Sequence, residues 1–437
     1  MATMTTPTRR GPHTWVWGLA RAAVHTFYRV ERTGDELPDG ALVLVANHPN
    51  TLIDPAVVQA TAGRHVRFLA KSTLFRGHPL SILIRSSGAI PIYRRIDDGA
   101  DTGRNVEMFS AVETALREGE AVCLFPEGIS HDRGRLEPLR TGAARMALAS
   151  TARGHPVTIV PVGLNFDRVA SFRSRVTTVF GRPFGCEDLV RVYTSDQRRA
   201  VRQLTDRTTD NLRRLMVEAD PRGDLNLVAR VDRLYASARG VSTATQDRIT
   251  RRRLISEGMN QLRRKDPDRF ESLQASIRSF DASLERFGLR DRDVDQRVTS
   301  GLALRFVLRE GLAAVLLAPI AAISLLIFAL PYWFTGRISR RAPDLQSRAT
   351  WQVMGGLMAY AVWIGLLSVV VGFQRGAWLA LAVGGGLTAL AFAGLAAFER
   401  EASVLRTVSA FLALRQTPLK ARARLKRKRA ELATVLE

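Results

Sequence analysis

The sequence predicts an α/β sandwich domain that is followed by a helical domain and a C-terminal block of membrane helices. Three observations lead to this prediction. Residues 29–190 alternate short apolar strands with helices, which is typical of α/β folds. Residues 191–298 are strongly charged and have a helical period with little strand pattern. Beyond residue 310 there are three long runs without a charged residue.

The composition favours an anionic partner. The chain has 437 residues, with 64 Lys and Arg against 41 Asp and Glu, a net charge of +23 and a pI near 11.3. This charge suits an acidic membrane surface, a phosphorylated substrate or a nucleic acid. The sequence has no helix-turn-helix, zinc-finger or RNA-binding pattern, so we predict no nucleic-acid partner. Its two cysteines predict no disulfide framework, which fits a reducing compartment.

The first predicted segment, residues 1–28, is an amphipathic N-terminal helix whose pattern is clear over 14–28. Its apolar residues recur every four positions, at Trp15, Leu19, Ala23 and Phe27. Two interpretations stay open at this point. The helix either packs on its own domain or lies in the membrane interface and seats the protein on lipid.

The second predicted segment, residues 29–190, is the α/β domain. Apolar runs predict strands at 41–46, 66–69, 90–92, 120–125 and 158–162, with helices at 55–62, 104–118 and 141–152. Pro91 predicts that its strand lies at an edge of the sheet, because proline cannot donate to a ladder. Ligand sites of such sheets gather at the carboxyl ends of strands, and His48 and Glu127 each follow a predicted strand.

The third predicted segment, residues 191–298, is a helical domain of about four or five helices. Its apolar faces are narrow, and a solvated bundle without chemistry of its own is the simplest interpretation. The residues that mark these faces are Leu204, Leu212 and Leu215; Leu225, Val228, Val231 and Leu234; Leu254, Met259 and Leu262; and Leu273, Ile277 and Leu284.

The fourth predicted segment, residues 299–398, is a membrane domain. Its charge-free runs cover 311–336, 349–374 and 376–398, and each exceeds the about 20 residues that cross a bilayer. If all three runs crossed, the basic loop around Arg340 and the basic tail would lie across the bilayer from the α/β domain. That arrangement would conflict with the positive-inside tendency.

The conflict disappears if the first run does not cross. Pro319 and Pro331 favour a kinked or re-entrant helix over 311–334. Residues 351–397 then form a transmembrane hairpin with a short outer turn at 374–376. By this hypothesis the hairpin anchors the protein in the cell membrane, and the α/β domain lies in the cytoplasm.

The last predicted segment, residues 399–437, is a basic amphipathic tail. Its helical pattern begins with Val404, Val408 and Phe411 on one face. Eight basic residues then precede the next acid, Glu431: Arg415, Lys420, Arg422, Arg424, Lys426, Arg427, Lys428 and Arg429. Such a cluster beside a membrane helix predicts an anchor for anionic lipid, with a merely solvated tail as the alternative.

His48 and Asp54 are the candidate catalytic pair. An alcohol that attacks a thioester needs a base near neutral pH, and histidine is the usual one. A carboxylate on its far nitrogen would fix the tautomer and stabilise the imidazolium. Pro49, Asn50 and Pro55 suggest a tight turn followed by a helix, which could fold Asp54 back onto His48. The plainer alternative is a pair of loop residues, with Asp54 as a helix N-cap.

The candidate substrate-binding residues follow in three further motifs. Arg94 comes after a short strand, and a guanidinium matches a phosphate bidentately. Glu127 could bind the free hydroxyl of the acceptor or order the site, and Gly128 permits close backbone approach. Arg140, just before a predicted helix, is a second candidate for the phosphate. The run Val160–Gly163 is a buried strand end with a structural role.

These motifs resemble the glycerolipid acyltransferase family, which includes glycerol-3-phosphate and lysophosphatidic acid acyltransferases. The resemblance is specific over residues 41–165. Five residues separate His48 from Asp54 where the family usually has four, and this longer spacing resembles the fungal-type glycerol-3-phosphate and dihydroxyacetone-phosphate acyltransferase subgroup. The runs Phe125–Arg133 and Leu139–Gly142 resemble that subgroup too, although a lysine commonly stands there in place of Arg140.

By this resemblance the α/β domain is an acyltransferase sandwich, His48 is the base and Asp54 is its partner. Arg94 then binds phosphate, and Glu127 and Gly128 belong to the acceptor site. Ser130 lies in the same run and, with Arg140, completes the predicted substrate-binding set.

We therefore predict a membrane-bound O-acyltransferase of phospholipid biosynthesis. It would move a fatty acyl group from acyl-CoA or an acyl carrier protein to glycerol 3-phosphate or dihydroxyacetone phosphate, without a metal or other cofactor. Acylation of 1-acylglycerol 3-phosphate or another lysolipid is the alternative within the class. A non-catalytic lipid-binding membrane scaffold is the alternative outside it, although a scaffold would need neither the His48–Asp54 pair nor Glu127.

Overall fold

The computed structural model describes residues 14–76, 80–93, 103, 105–295, 300–344 and 346–436. The chain divides into two compact units. The first contains Met1–Asn226, Ala244–Ser256 and Pro343–Thr350, and the second contains Leu227–Thr243, Glu257–Ala342 and Trp351–Glu437. This division by contacts is coarser than the five segments predicted from the sequence, whose bounds stay a prediction.

A mixed seven-stranded sheet forms the centre of the first unit. Its strands are β1 (Arg29–Gly34), β2 (Leu42–Ala46), β3 (Val66–Lys71), β4 (Ile90–Ile92), β5 (Ala121–Leu124), β6 (Thr158–Phe166) and β7 (Arg175–Phe180). Their order across the sheet is β1-β7-β6-β2-β5-β3-β4. Among the strand pairs of the described residues, β6–β7 alone is antiparallel. The prediction of an α/β sandwich is confirmed, and β4 with its proline lies at an edge.

The helices of the first unit cover this sheet because its central strands are apolar on both faces. Those described before residue 224 are α1 (Thr14–Phe27), α2 (Ile53–Thr61), α3 (Leu80–Ser86), α4 (Asn105–Arg117), α5 (Gly142–Ala152), α6 (Val190–Ser195) and α7 (Gln197–Arg213). Every residue of β2 and β5 is buried. Val43 of β2 shares one core cluster with Val112 of α4 and Ala147 of α5. Burial on both faces is what a continuous apolar strand requires.

Two outer strands were not predicted from the sequence. β1 carries Arg29, Glu31 and Arg32 and none of its residues is fully buried, so it lacks an apolar run. In β7, Thr177 and Thr178 are buried in the middle of the strand. Both patterns depend on tertiary packing, since Glu31 forms ion pairs with Arg175 and with Arg248, which lies in the Ala244–Ser256 part of this unit.

The region predicted as a helical domain forms α6, α7, α8 (Asp224–Arg239), α9 (Thr245–Lys265) and α10 (Pro267–Arg286). Leu204 and Leu212 of α7 and Ile277 of α10 are buried, as their apolar stripes predicted. The assignment of Leu254 to an apolar face was wrong, because its side chain is 56% exposed and Ile249 is buried instead. The charged sequence of α9 has too weak an apolar stripe to identify that face.

In the part of the chain that the structure describes, three long helices are apolar enough to cross a membrane. They are α11 (Ser300–Ser339), α12 (Arg348–Arg375) and α13 (Ala377–Gln416). At most 11% of the most apolar window of each is buried. Soluble proteins rarely expose so large an apolar surface. The protein is therefore associated with a membrane through its second unit.

Helix α11 runs without interruption through Pro319 and Pro331, so the chain does not turn back within the segment 311–334. The re-entrant form of the prediction does not match this helix. Pro331 has no N–H to donate to the carbonyl of Ile327, four residues earlier. The indole Nε1–H of Trp363 on α12 donates to that carbonyl at 2.9 Å. Such rescue is how a membrane helix tolerates an internal proline.

The charged tail begins inside a helix. Helix α13 continues past residue 398 to Gln416, and α14 (Leu419–Val435) follows after Pro418. Arg429 on α14 is only 3% exposed, pairs with Asp295 and donates to the hydroxyl of Ser237 at 2.9 Å. Arg429, one of the eight basic residues of the predicted lipid anchor, is therefore enclosed by protein partners, and the anchor stays a prediction for the other seven.

Candidate active site

His48 and Asp54 meet at the carboxyl end of β2. The strand ends at Ala46, and α2 starts at Ile53, so Asp54 lies in the first turn of that helix. The Nδ1 of His48 is 2.8 Å from Oδ2 of Asp54. Asp54 is not the N-cap, because that position is Leu52. With Nδ1 bonded to the carboxylate, Nε2 is the nitrogen left to accept a proton.

The carboxyl group of Asp54 is completely buried. Its Oδ2 also accepts the main-chain N–H of Asn50 at 2.7 Å, whereas Oδ1 has no hydrogen-bond partner in the described part of the chain. Burial raises the pKa of Asp54, and the hydrogen bond from His48 opposes this rise. Burial of the charged carboxylate lowers the stability of the folded chain, and the same charge stabilises a protonated histidine beside it.

The turn between His48 and Asp54 is strained at Thr51. Its φ is +36°, a conformation that β-branched residues rarely adopt and that costs of order 1–3 kcal/mol. The main-chain N–H of Thr51 donates to Oγ of Ser130 at 2.9 Å, and the N–H of Ile53 donates to the carbonyl of Asn50 at 2.9 Å. Ser130 thus holds the turn between His48 and Asp54, and its predicted role in substrate binding stays a prediction.

The ring of His48 is fixed from a second side by Phe125. The two rings are stacked, with centroids 4.2 Å apart and planes 16° from parallel. The side chain of His48 keeps 20% of its surface exposed. This packing limits rotation of the imidazole while leaving one edge open to a substrate.

Glu127 is buried and binds the main chain of the site. Its Oε1 accepts the backbone N–H of His48 at 2.8 Å, and its Oε2 accepts the N–H of Glu137 at 2.9 Å. The Oε2 also bonds Nε2 of His131. These contacts favour ordering of the site over direct binding of an acceptor hydroxyl, and the substrate-binding role of Glu127 stays a prediction.

His131 was missed by the sequence reasoning. Besides the contact of its ring with Glu127, its backbone N–H donates to the carbonyl of His48 at 3.0 Å. Both peptide groups of His48 are therefore held by the pair Glu127 and His131. The Nδ1 of His131 is buried without a hydrogen-bond partner in the described residues. Its place in the run Phe125–Arg133 was visible, but nothing in the run indicated that its ring turns back onto Glu127.

Gly128 and Arg140 are in direct contact. Gly128 has a φ of +72°, and a Cβ added there would lie 2.4 Å from Nε of Arg140. The backbone N–H of Arg140 donates to the carbonyl of Pro126 at 2.8 Å. This bond fixes the backbone from which the side chain of Arg140 extends. Glycine is thus needed here both for the backbone conformation and for the passage of the arginine side chain.

Arg94, the first predicted phosphate ligand, lies outside the described residues. Within the part of the chain that the structure describes, no group of three or more His, Cys, Asp or Glu residues is arranged to hold a metal ion. The prediction that the reaction needs no metal or other cofactor remains a prediction.

Two family models match the chain. The acyltransferase model matches residues 29–165, which carry the sheet and the His48–Asp54 pair, and the model of the glycerol-3-phosphate acyltransferase 2 C-terminal domain matches residues 227–437. Residues 29–165 therefore form an acyltransferase domain. The family resemblance that the motifs predicted is confirmed.

Two yeast proteins are similar in sequence to this chain. Glycerol-3-phosphate O-acyltransferase 1 of Saccharomyces cerevisiae is 28% identical over 276 residues, covering 58% of this chain and 36% of that protein. Glycerol-3-phosphate O-acyltransferase 2 of the same yeast is 31% identical over 206 residues, covering 46% of this chain and 27% of that protein.

The similarity to these relatives is partial, because the chain spans only about a third of the length of the curated relatives that it matches. One solved acyltransferase structure is also similar, the 1-acyl-sn-glycerophosphate acyltransferase PlsC of Thermotoga maritima. It is 18% identical, with a TM-score of 0.31, over 46% of this chain and 78% of that one. So low a TM-score adds nothing to the sheet order given above.

Proposed function

We propose that this acyltransferase moves a fatty acyl group from a thioester to the hydroxyl of a small phosphorylated alcohol, glycerol 3-phosphate or dihydroxyacetone phosphate. The single observation that carries the proposal is the hydrogen bond between His48 Nδ1 and buried Asp54 at the end of β2. The printed names of the two yeast relatives, and the match of residues 227–437, support the choice of acceptor.

In the proposed reaction, Nε2 of His48 takes the proton of the acceptor hydroxyl as its oxygen attacks the thioester carbonyl. The new C–O bond forms and the C–S bond breaks. The thiolate of CoA or of an acyl carrier protein leaves and takes the proton from the imidazolium. Asp54 stabilises the positive ring between these steps, and Phe125 holds its plane.

The phosphate of the acceptor is assigned to arginine. Arg140 is exposed and lies against Gly128, one residue from Glu127. A guanidinium can hold two phosphate oxygens in parallel, which positions the acceptor as well as binding it. We propose Arg140 for this contact, with Arg94 as the second ligand.

For the membrane topology, we propose that the connector before α12 lies on the catalytic side. Pro343–Thr350 belongs to the same compact unit as the sheet, and Thr350 Oγ1 is 2.8 Å from Thr51 Oγ1. For the chain to reach this connector from the catalytic side, α11 must not cross the bilayer, although it does not turn back. Helices α12 and α13 then form a hairpin whose turn at Gln374–Gly376 faces outward. Basic residues at 337–348 favour the cytoplasm for the catalytic side. In a cysteine-accessibility map, residues 338–348 should react only after the cell is permeabilised.

We also propose an anionic membrane surface as a partner. Lys420, Arg424 and Arg427 of α14 are exposed, unlike Arg429. Each basic residue near an acidic surface contributes about 1 kcal/mol to binding. Replacement of these three by glutamine should lower activity on anionic vesicles and leave it unchanged on neutral ones.

The test of the proposed reaction is acyl transfer by the detergent-purified full chain. Acyl-CoA or acyl carrier protein is offered with labelled glycerol 3-phosphate, dihydroxyacetone phosphate or 1-acylglycerol 3-phosphate, and His48→Ala is run beside the wild type. Acylation of a water-soluble acceptor that the variant loses would support the proposal. Acylation of the lysolipid alone would show that the protein catalyses the alternative reaction, in which a lysolipid is the acceptor. Silence with every donor and acceptor would contradict the proposal and favour the scaffold.

A further inference from the structure

The connector between the first two membrane helices belongs to the catalytic unit. It covers Pro343–Thr350 and includes the first turn of α12, which begins at Arg348. Ala349 is fully buried, and Ser347 bonds through its backbone N–H to Asp344 Oδ1 at 2.6 Å. The connector is therefore an ordered part of this unit where it meets α12.

Thr350 contacts the strained turn that separates His48 from Asp54. Its Oγ1 is 2.8 Å from Oγ1 of Thr51, across 299 positions of sequence. Thr51 is held by Ser130 through its backbone N–H and by Thr350 through its hydroxyl. A backbone at φ +36° persists only where the surroundings fix it from several sides.

The position of Thr51 determines whether the catalytic pair is aligned. The turn brings the N–H of Asn50 onto Asp54 Oδ2, the same oxygen that bonds His48 Nδ1. If Thr51 relaxed to a common backbone conformation, the Asn50–Thr51 peptide would rotate and displace the backbone before it, so that Oδ2 would lose the N–H of Asn50. A shift of the carboxylate would then misalign the imidazole. A contact that holds Thr51 therefore acts on the base without touching it.

We propose that Thr350 is a positioning residue for the His48–Asp54 pair, so that the start of a membrane helix holds the catalytic turn in its active geometry. The inference rests on the proposed function, since it concerns the same reaction. Thr350 acts through Thr51, and it contacts neither the acyl donor nor the reacting atoms. Its loss should lower kcat and leave KM for the acceptor unchanged.

The contact itself can be tested without any assay of acyl transfer. The double variant Thr51→Cys/Thr350→Cys is oxidised in detergent-purified full chain and in native membranes, and the disulfide is measured by mass spectrometry. The single variants are the controls, because Cys123 and Cys186 are both buried. A disulfide only in the double variant is expected, because hydroxyl oxygens 2.8 Å apart keep the two side chains close enough for a small movement to join them. Absence of the disulfide would overturn the proposal.

The positioning role requires two further variants. Thr350→Val keeps the shape and removes the hydroxyl, and we expect kcat to fall by about 3- to 10-fold, the effect of one neutral hydrogen bond. Thr350→Ser keeps the hydroxyl and should restore most of kcat. Thr388→Val is the matched control, because the bond that the hydroxyl of Thr388 makes among the described residues is to the carbonyl of Gly384 in its own helix. An unchanged kcat in Thr350→Val would overturn the role.

A chemical readout on His48 separates this proposal from the proposed function. Carbethoxylation of the His48 peptide by diethyl pyrocarbonate should be several times faster in Thr350→Val than in the wild type, because the ring loses its fixed partners. This measurement and the disulfide still decide the proposal if the wild type acylates none of the acceptors offered. An equal rate in both proteins would contradict it.

Discussion

The carboxylate of Glu127 accepts the backbone N–H of His48 at 2.8 Å, across 79 positions of sequence. Its other oxygen bonds the ring of His131, whose own backbone N–H donates to the carbonyl of His48. The candidate base is therefore clamped at both of its peptide groups. Glu127 lies in the family motif at a position where a substrate ligand was expected, and its observed contacts instead hold the backbone of His48, the ring of His131 and the backbone N–H of Glu137.

The first prediction concerns His131. In His131→Leu the buried carboxylate of Glu127 loses one partner, and the unmet group should cost about 1–3 kcal/mol. We expect a lower midpoint of thermal unfolding in detergent, measured by tryptophan fluorescence, together with a fall in kcat. His131→Gln can still donate to Glu127 and serves as the matched control. If both variants had the unfolding midpoint and the kcat of the wild type, the contact between His131 and Glu127 would contribute to neither stability nor activity.

The second prediction concerns the pH dependence of activity at Asp54. Its pKa is raised by burial, so the carboxylate is neutralised at a higher pH than a free aspartate. The wild type should therefore lose kcat/KM as pH falls through this raised pKa, because a neutral acid no longer stabilises the imidazolium. Asp54→Asn should be at least about 100-fold slower at pH 7. Comparable activity of Asp54→Asn at that pH would exclude the proposed role.

The raised pKa of Asp54 also affects folding stability, and there the charged carboxylate is unfavourable. An acid whose folded pKa lies above its unfolded value of about 3.9 opposes folding once the pH exceeds that value, and fully so above the folded pKa. Asp54→Asn should thus unfold at a higher temperature than the wild type at pH 7, and this advantage should vanish near pH 4. Asp206→Asn, which changes an exposed acid of α7, is the control and should alter neither property. A destabilised Asp54→Asn at pH 7 would contradict this reasoning.

The third prediction concerns Gly128. Alanine there must hold a positive φ, which costs about 1–2 kcal/mol, and its Cβ would overlap the side chain of Arg140. Gly154→Ala is the matched control, because Gly154 has a φ of +86° and open space around it. Gly128→Ala should be the less stable of the two and should raise KM for the phosphorylated acceptor. Equal unfolding midpoints would show that the overlap with Arg140 is absorbed without cost.

The sequence predicted the central part of the fold and failed at its periphery for a physical reason. Strands β2 and β5 are buried on both faces, so their apolar runs were visible in the sequence. Strand β1 is polar because its charges meet partners from distant segments, which no local pattern reveals.

The same limit applies to the site. The spacing of His48 and Asp54, with prolines around them, indicated that the two side chains could meet, and they lie 2.8 Å apart. Their catalytic roles stay predictions. His131 and Thr350 could not be found in this way, because each acts through a contact whose other half lies elsewhere in the fold. Short-range patterns predict residues that meet across a turn, and they miss those that meet across the sheet or the chain.

The fourth prediction concerns the carbonyl of Ile327, which Pro331 leaves without a donor in its own helix. Trp363→Phe removes the indole N–H that bonds it, at a cost of about 0.6 kcal/mol for a typical hydrogen bond between membrane helices. In a Pro331→Ala background the backbone N–H of residue 331 can take over, so the same change should cost less. Trp378→Phe, at a tryptophan that is 86% exposed, is the control and should have no effect. Unfolding in mixed micelles of increasing SDS content measures all four proteins of the cycle and the control. Strictly additive effects of Trp363→Phe and Pro331→Ala would show that the indole does not substitute for the missing backbone donor.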